Sequence, residues 1–218
     1  MDFEFLKQCA SEVGVKLTQK QTERLAAYFD MVVEKNKAFN LTAITEEKDF
    51  AIKHIADSLA GISEIPQNSA LLDIGAGAGF PSMPIAITRE DVKVTALDST
   101  AKKMNFISEC ARELKLTNVK TVAGRAEEQK NLFATFDVVT ARAVSSLNIL
   151  LELAMPMLKT GGRFVAYKTD ESELDGAKCA LATLGAKHLS TKSLSLPNGD
   201  SRAILVSEKV APTPKQYP

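Results

Sequence analysis

Residues 70–81 read ALLDIGAGAGFP. The apolar run at the start of this stretch is long enough for a strand and too short for a helix. Its three alternating glycines, Gly75, Gly77 and Gly79, permit positive φ angles and let a ligand approach the bare backbone. Pro81 suits the first turn of a following helix, where its missing N–H is not needed. The pattern predicts a strand, a tight loop and a helix whose positive N-terminal end can hold an anionic group.

The glycine spacing and a second acid indicate which ligand this loop holds. Dinucleotide-binding loops have the pattern G-x-G-x-x-G, whereas here the third glycine comes one residue early. Asp98 ends the next apolar segment, 23 residues after Gly75, and a carboxylate that binds ribose hydroxyls is expected roughly 20 residues on. These features predict an adenosine ligand and favour S-adenosylmethionine over a dinucleotide. A strand–helix turn without a ligand is the alternative.

Composition limits the class of protein. The 218 residues include 27 Lys and Arg and 27 Asp and Glu, so a nucleic-acid partner would have to bind a local patch. The three cysteines, Cys9, Cys110 and Cys179, form no C-x-x-C pair and no metal-like cluster. We therefore expect a reducing compartment and no metal site. No apolar run has membrane-span length and the N-terminus lacks a signal-peptide pattern, so we expect a cytoplasmic monomer without membrane contact.

Helical periodicity dominates the first part of the chain. Apolar spacing predicts helices over 3–13, from Thr18 to about Lys37, and over 46–59. Thr18 and Gln21 have the spacing of a capping box. We therefore expect a helical N-terminal region over residues 1–65.

The rest of the chain alternates between strands and helices, which predicts an α/β fold with a mostly parallel, doubly wound sheet. Asn198 and Gly199 separate the last two predicted strands and indicate an antiparallel C-terminal hairpin. We assign residues 66–210 to one cofactor-binding domain and residues 211–218 to an extended tail.

The type of methyl acceptor would determine which side chains are needed. No cysteine lies at a predicted strand end, where attack on a pyrimidine C5 would need one, and the Asn/Asp-Pro-Pro-Tyr/Phe motif of amino-group methylation is missing. Lys168, at a strand end, could deprotonate a ribose hydroxyl. Guanine N7 needs no base, only orientation by donors such as arginine. Arg125 and Arg142, each just past a buried strand, could contact RNA, cofactor or a structural carboxylate.

Six short segments, one of which contains the glycine loop, follow one another along the chain. They are NKAFNLTAI at 36–44, HIADSL at 54–59, DIGAGAGFP at 73–81, LDS at 97–99 with KK at 102–103, GRAEE at 124–128 and TARA at 140–143. As a set they resemble the bacterial RsmG methyltransferases, also called GidB. The resemblance implies a Rossmann-like class I methyltransferase that uses S-adenosylmethionine. It also implies methylation of guanine N7 in the 530 loop of 16S rRNA, in the small ribosomal subunit. Ser82 and Lys103 are mild departures from the family pattern.

The resemblance also implies roles for individual residues. Arg142 and Arg125 would position the reactants, with no general base. The implied cofactor contacts, together with the glycine loop, are Gly75, Gly77, Phe80, Asp98, Ser99, Ala126, Glu127 and Arg142. The implied RNA contacts are Asn40, His54, Arg125 and Arg202. Lys102 and Lys103 are further candidates for RNA contact, because they could belong to a local basic patch. Without the resemblance, His54 would be interpreted as a packed histidine and Asn40 as a turn residue.

Three other functions are also compatible with the sequence. The first is a ribose 2′-hydroxyl methyltransferase with Lys168 as its base. The second is a dinucleotide-dependent oxidoreductase, which calorimetry with NADH and S-adenosylhomocysteine would distinguish. The third is a non-catalytic module that binds cofactor or RNA without turnover.

Overall fold

The computed structural model describes residues 1–217, and their strands form one seven-stranded sheet. The strands are β1 (Ala70–Ile74), β2 (Lys93–Asp98), β3 (Val119–Ala123), β4 (Phe136–Arg142), β5 (Leu158–Lys168), β6 (Ala186–Ser195) and β7 (Ser201–Lys209). Their order is β3-β2-β1-β4-β5-β7-β6. Strands β1 to β5 are parallel, whereas β7 is antiparallel to both β5 and β6. The predicted α/β sheet with a C-terminal hairpin is therefore confirmed.

The main helices lie before the sheet and between its strands. They are α1 (Phe3–Glu12), α2 (Gln19–Asn36), α3 (three consecutive segments, Glu47–Phe50, Ala51–Ala56 and Asp57–Leu59), α4 (Ser82–Thr88), α5 (Ala101–Glu113), α6 (Leu147–Met157) and α7 (Leu174–Thr183). The predicted capping box at the start of α2 is present, since Thr18 and Gln21 each accept a hydrogen bond from the other's backbone N–H.

Helix α3 differs from the regular helix that its periodicity predicts. Its middle segment, Ala51–Ala56, is a π-helix. A π turn contains more residues than an α turn, so it changes the direction in which the following side chains point. Apolar spacing does not reveal such a turn, because Phe50, Ile52, Ile55 and Leu59, the residues predicted to face inward, are all buried although the helix contains the π segment.

Alternate residues of the central strands face two different cores. Leu71 packs with the N-terminal helices and α5, whereas Leu72 packs with α6 and α7. Leu6 of α1, Leu25 of α2 and Phe50 of α3 belong to the same buried cluster as Leu71. The N-terminal helices thus share a core with the sheet, and the division at residue 65 stays a prediction.

Within residues 1–217, no helix has both the length and the hydropathy that a membrane span requires.

Candidate active site

The glycine loop after β1 is held against the end of β2. The N–H groups of Gly75 and Ala76 both donate to the Leu97 carbonyl, at 2.8 and 3.0 Å. The Gly77 N–H donates to Asp98 Oδ2 at 3.0 Å. Gly75 and Gly77 have φ angles of 70° and 58°, a region that glycine adopts at no steric cost. The tight turn therefore depends on the local sequence.

Asp98 is oriented as a hydrogen-bond acceptor for a ligand. Its Oδ1 accepts from the Thr100 N–H at 2.8 Å and its Oδ2 from the Gly77 N–H, so each oxygen keeps a further lone pair. The side chain lines a cavity of about 540 Å³, a size typical of small-molecule sites. A Cβ added to Gly77 would meet only the Gly75 carbonyl oxygen, at 3.8 Å. The carboxylate and the open backbone fit an adenosyl cofactor with two ribose hydroxyls.

Two buried side chains support the loop from the interior. The Tyr28 hydroxyl of α2 donates to the Ala78 carbonyl. Asp73 accepts from the Ser82 N–H at 3.0 Å and from the Thr140 hydroxyl at 3.1 Å, which ties β1 to α4 and β4. Asp73 is 0% exposed, so it positions the loop and cannot reach a ligand.

Asp73 makes the stability of the fold pH-dependent. Burial raises the pKa of its carboxyl to about 6, and its hydrogen bonds only partly oppose this rise; in an unfolded chain the value is about 3.9. The folded state therefore binds the proton more tightly. This contribution to stability is complete below about pH 4 and is lost as the pH rises through about 6.

We expect the free energy of unfolding to fall by about 2 kcal/mol between pH 4 and pH 7, relative to an Asp73→Asn variant, since one pKa unit corresponds to about 1.4 kcal/mol and part of the effect is already lost at pH 4. Urea denaturation of both proteins across this range measures the difference. Parallel stability curves would contradict the assignment, because all other titrating groups are common to both proteins.

The cavity brings together most of the residues predicted from the sequence. All eight predicted cofactor contacts line it, and so do His54, Lys103 and Arg125. Asn40 and Lys102 are exposed outside it, and Arg202 lines a second cavity. The individual roles of these residues stay predictions.

The two arginines predicted to act together lie at different ends of the cavity. Arg125 follows β3 and Arg142 ends β4, so three strand spacings, roughly 14 Å, separate their positions on the sheet. The Arg125 side chain is mostly exposed and lies 3.7 Å from Glu127. Arg142 is largely buried and makes a different set of contacts.

Asp57, Arg142 and Arg202 form a buried ion cluster beside the cavity. Arg142 Nη1 donates to Asp57 Oδ2 at 2.8 Å, and Arg202 Nε donates to Asp57 Oδ1 at 3.1 Å. Arg142 Nη1 also donates to the Lys53 carbonyl in the π segment of α3, at 2.8 Å. Asp57 is 4% exposed, so its charge depends on these partners. A structural carboxylate is thus the anion that Arg142 contacts within the protein.

His54 connects the ion cluster to the wall of the cavity. Its ring stacks on Phe80, with centroids 4.2 Å apart and planes at 5°. Its Nδ1 lies 3.2 Å from Arg142 Nη2, and its Nε2 lies 2.8 Å from Thr42 Oγ1. Burial, with a smaller effect of the Arg142 charge, lowers the pKa of the imidazole to about 3. His54 is therefore neutral at physiological pH.

A second cavity, of about 400 Å³, lies on the other side of Arg142. It occupies the carboxyl ends of β4 and β5 and the start of β7, and His54, Arg142 and Ala143 line both cavities. Ala143 has a φ of 56°, a conformation that costs a non-glycine residue about 1–2 kcal/mol. Strain of this kind is concentrated at functional sites. The strained backbone at Ala143 therefore indicates that the junction of the two cavities is functional.

Sequence reasoning missed three residues that build this site: Tyr28, Thr42 and Asp57. Tyr28 has the spacing of an apolar helix face, and its hydroxyl contact is not visible in the sequence. Asp57 did carry a signal, because an acid among the apolar residues of a helix needs a cationic partner once it is buried. Thr42 lies in a loop whose path no local pattern specifies.

Comparison with known proteins identifies close relatives. A family model described as GidB, rRNA small subunit methyltransferase G, matches residues 21–204. A "Ribosomal RNA small subunit methyltransferase G" of Lactococcus lactis subsp. cremoris (strain MG1363) is 45% identical over 223 residues, 99% of this chain and 93% of that protein. A protein of the same name from Streptococcus pyogenes serotype M3 is 46% identical over 215 residues, 95% of this chain and 91% of that one.

Solved structures share the fold at low sequence identity. TYW2 of M. jannaschii, in complex with AdoMet, has a TM-score of 0.60 at 17% identity, covering 77% of this chain and 80% of its own. A SAM dependent methyltransferase from Aquifex aeolicus has a TM-score of 0.59 at 17% identity, covering 82% and 98%. This likeness shows the fold alone and confirms the Rossmann-like architecture.

Proposed function

Because this chain belongs to the GidB family of rRNA small subunit methyltransferases, we propose that it methylates N7 of a guanine in the 530 loop of 16S rRNA. Family membership confirms the predicted enzyme class and the predicted cofactor. S-adenosylmethionine, when bound, supplies an electrophilic methyl group. The proposed partner is the 16S rRNA of the small ribosomal subunit, and the proposed location is the cytoplasm, where the protein would act as a monomer.

The residues of the first cavity, beside the glycine loop, fit this cofactor. Asp98 would accept hydrogen bonds from the ribose hydroxyls, since its carboxylate lines the cavity while one backbone N–H group holds each of its oxygens in place. Gly75 and Gly77 would let the ligand approach the loop. The stacked rings of Phe80 and His54 would form an apolar wall that excludes water from the reaction.

The choice of guanine N7 as the methyl acceptor rests on one observation: where the two cavities meet, none of the described side chains is free to act as a base. Among the described residues at this junction, the Asp57 carboxylate is bound by two arginines, and both His54 nitrogens are engaged. Lys168 Nζ donates to the Ser145 carbonyl at 2.8 Å and to both Glu173 oxygens at 2.9 and 3.0 Å. A hydroxyl acceptor must lose its proton to a base. Guanine N7 presents a lone pair and needs only alignment.

The second cavity would hold the guanine. Arg202 lines it, and Arg202 Nη2 makes no hydrogen bond to any residue in 1–217, so a donor is available for the O6 edge of the base. Ile44 and Tyr167 provide apolar walls. Asp57 holds Arg142 and Arg202 in one orientation, which positions the donors before the RNA arrives.

The assignment is tested with labelled S-adenosylmethionine and small ribosomal subunits that lack the modification. We expect label at N7 of one guanine in the 530 loop. Label at a ribose hydroxyl, on another base or on another RNA would contradict the proposal. No transfer to any subunit preparation, together with normal cofactor binding, would instead favour the non-catalytic module.

A Lys168→Met variant separates N7 methylation from the ribose alternative. A lysine base is essential for 2′-hydroxyl methylation, so that activity would be lost. Under N7 methylation we expect Lys168→Met to retain more activity than Arg142→Ala, because Lys168 is already occupied by Glu173 and Ser145. The initial rates of both variants, measured on the same subunits, decide between the two.

A further inference from the structure

Thr42 occupies a fixed position at the edge of the cofactor cavity. The Asn36 side-chain oxygen accepts from the backbone N–H groups of Leu41 and Thr42, at 2.7 and 3.1 Å. Thr42 Oγ1 in turn accepts from the Ile44 N–H at 3.1 Å. The loop that follows α2 is thereby held in a defined conformation, and Thr42 lines the cavity.

The tautomer of His54 follows from its two contacts. Arg142 can only donate, so the 3.2 Å contact between Arg142 Nη2 and His54 Nδ1 assigns Nδ1 as the acceptor. The imidazole is neutral, and its one proton is therefore on Nε2. That N–H donates to Thr42 Oγ1 across 2.8 Å.

The Thr42 hydroxyl is consequently left with one free hydrogen. Its oxygen already accepts two hydrogen bonds, from His54 and from Ile44, which uses both lone pairs. Within residues 1–217 its own hydrogen has no acceptor. Because Thr42 lines the cavity, this hydrogen is available to a ligand there.

The position of Thr42 indicates which ligand atom it meets. Asp98 ends β2, while Arg142, which holds His54, ends β4, two strand positions away, or roughly 10 Å. This separation is similar to the distance between the ribose of S-adenosylmethionine and the end of its amino-acid group. The end of the cavity near Arg142 also carries a net positive charge, since Arg142 and Arg202 share the single Asp57 carboxylate.

We propose that the Thr42 hydroxyl binds the amino-acid carboxylate of the cofactor, with Arg142 and His54 as positioning residues that orient it. The inference depends on the cofactor of the proposed function and not on the RNA target.

Calorimetry with two ligands tests this contact without any RNA. S-adenosylhomocysteine carries the amino-acid group, whereas 5′-methylthioadenosine carries the adenosine and lacks that group. We expect Thr42→Val to weaken S-adenosylhomocysteine binding by about ten- to a hundredfold, the range for a hydrogen bond to a charged acceptor. Binding of 5′-methylthioadenosine should change by less than about twofold, and Thr42→Ser should restore most of the loss.

Two controls keep the test specific. Thr45→Val removes an exposed hydroxyl of the same loop and should leave both affinities unchanged. Nitrogen-15 NMR of the wild-type imidazoles should show His54 protonated at Nε2. Equal weakening of both ligands by Thr42→Val, or of neither, would overturn the proposal, as would an Nδ1-protonated His54. A label at some atom other than N7 would refute the proposed function and leave this inference intact.

Discussion

Replacing Asp57 by alanine is expected to lower the free energy of unfolding by about 3–5 kcal/mol, the cost of removing one partner from a buried ion pair. The carboxylate neutralises Arg142 and Arg202, whose side chains are 14% and 18% exposed. Without it, two guanidinium groups face each other with one counterion fewer. Arg142 also holds His54, so the variant should lose methyl transfer even at temperatures where it remains folded.

Asp49→Ala is the matched control, because Asp49 lies in the same helix and is also paired with a cation. It bonds Lys53 at 3.0 Å on the surface, with the Asp49 side chain 47% exposed, and such pairs contribute under about 0.5 kcal/mol. Urea denaturation and initial rates measured on both variants provide the comparison. Equal effects of the two substitutions would show that the buried cluster contributes no more to stability and activity than the surface ion pair does. If Asp57→Ala does not fold, Asp57→Asn keeps the side-chain volume and should show the same order of effects.

Gly79→Ala is expected to produce the second large effect, a loss of about 3 kcal/mol or more in stability from backbone strain and overpacking, together with loss of cofactor binding. Gly79 has a φ of 95°, where an L-residue is strained. An added Cβ would overlap the Tyr28 hydroxyl and lie 2.7 Å from Met83 Cγ. Both neighbours are buried, and Tyr28 supports the loop at Ala78. The substitution should therefore displace α2 from the loop.

Gly77→Ala has a different expected outcome. Comparing it with Gly79→Ala separates the two reasons for glycine in this loop, which are the positive φ angle and the lack of space for a side chain. Its φ of 58° costs an alanine about 1–2 kcal/mol, but the added Cβ meets no atom closer than 3.8 Å. The variant should fold. Its affinity for S-adenosylhomocysteine should nevertheless be lower than that of the wild type, because Gly77 lines the cavity. Thermal unfolding and calorimetry test both variants. A Gly79→Ala protein as stable as Gly77→Ala would contradict the packing argument.

The glycine loop and its ligand could be predicted because their signals are local. The strand, the glycines and Asp98 lie within thirty residues, and their spacing alone indicated the turn and the ribose contact. Arg125 and Arg142 show the limit of such reasoning. Both follow buried strands, yet the sheet order places them at different ends of the cavity, and their positions in sequence do not reveal this.

The alternation of strands and helices, the tight turn of the glycine loop and the family could all be read from the sequence, since they depend on residue types at short spacing. The completion of the site depends on contacts between distant parts of the chain. Asp57 meets Arg142 and Arg202 across 85 and 145 residues. The C-terminal hairpin, inserted antiparallel beside β5, brings Arg202 to the carboxyl edge of the sheet, and the π segment of α3 turns His54 and Asp57 toward Arg142. Such contacts depend on strand order and helix geometry, which long-range packing determines and local periodicity does not record.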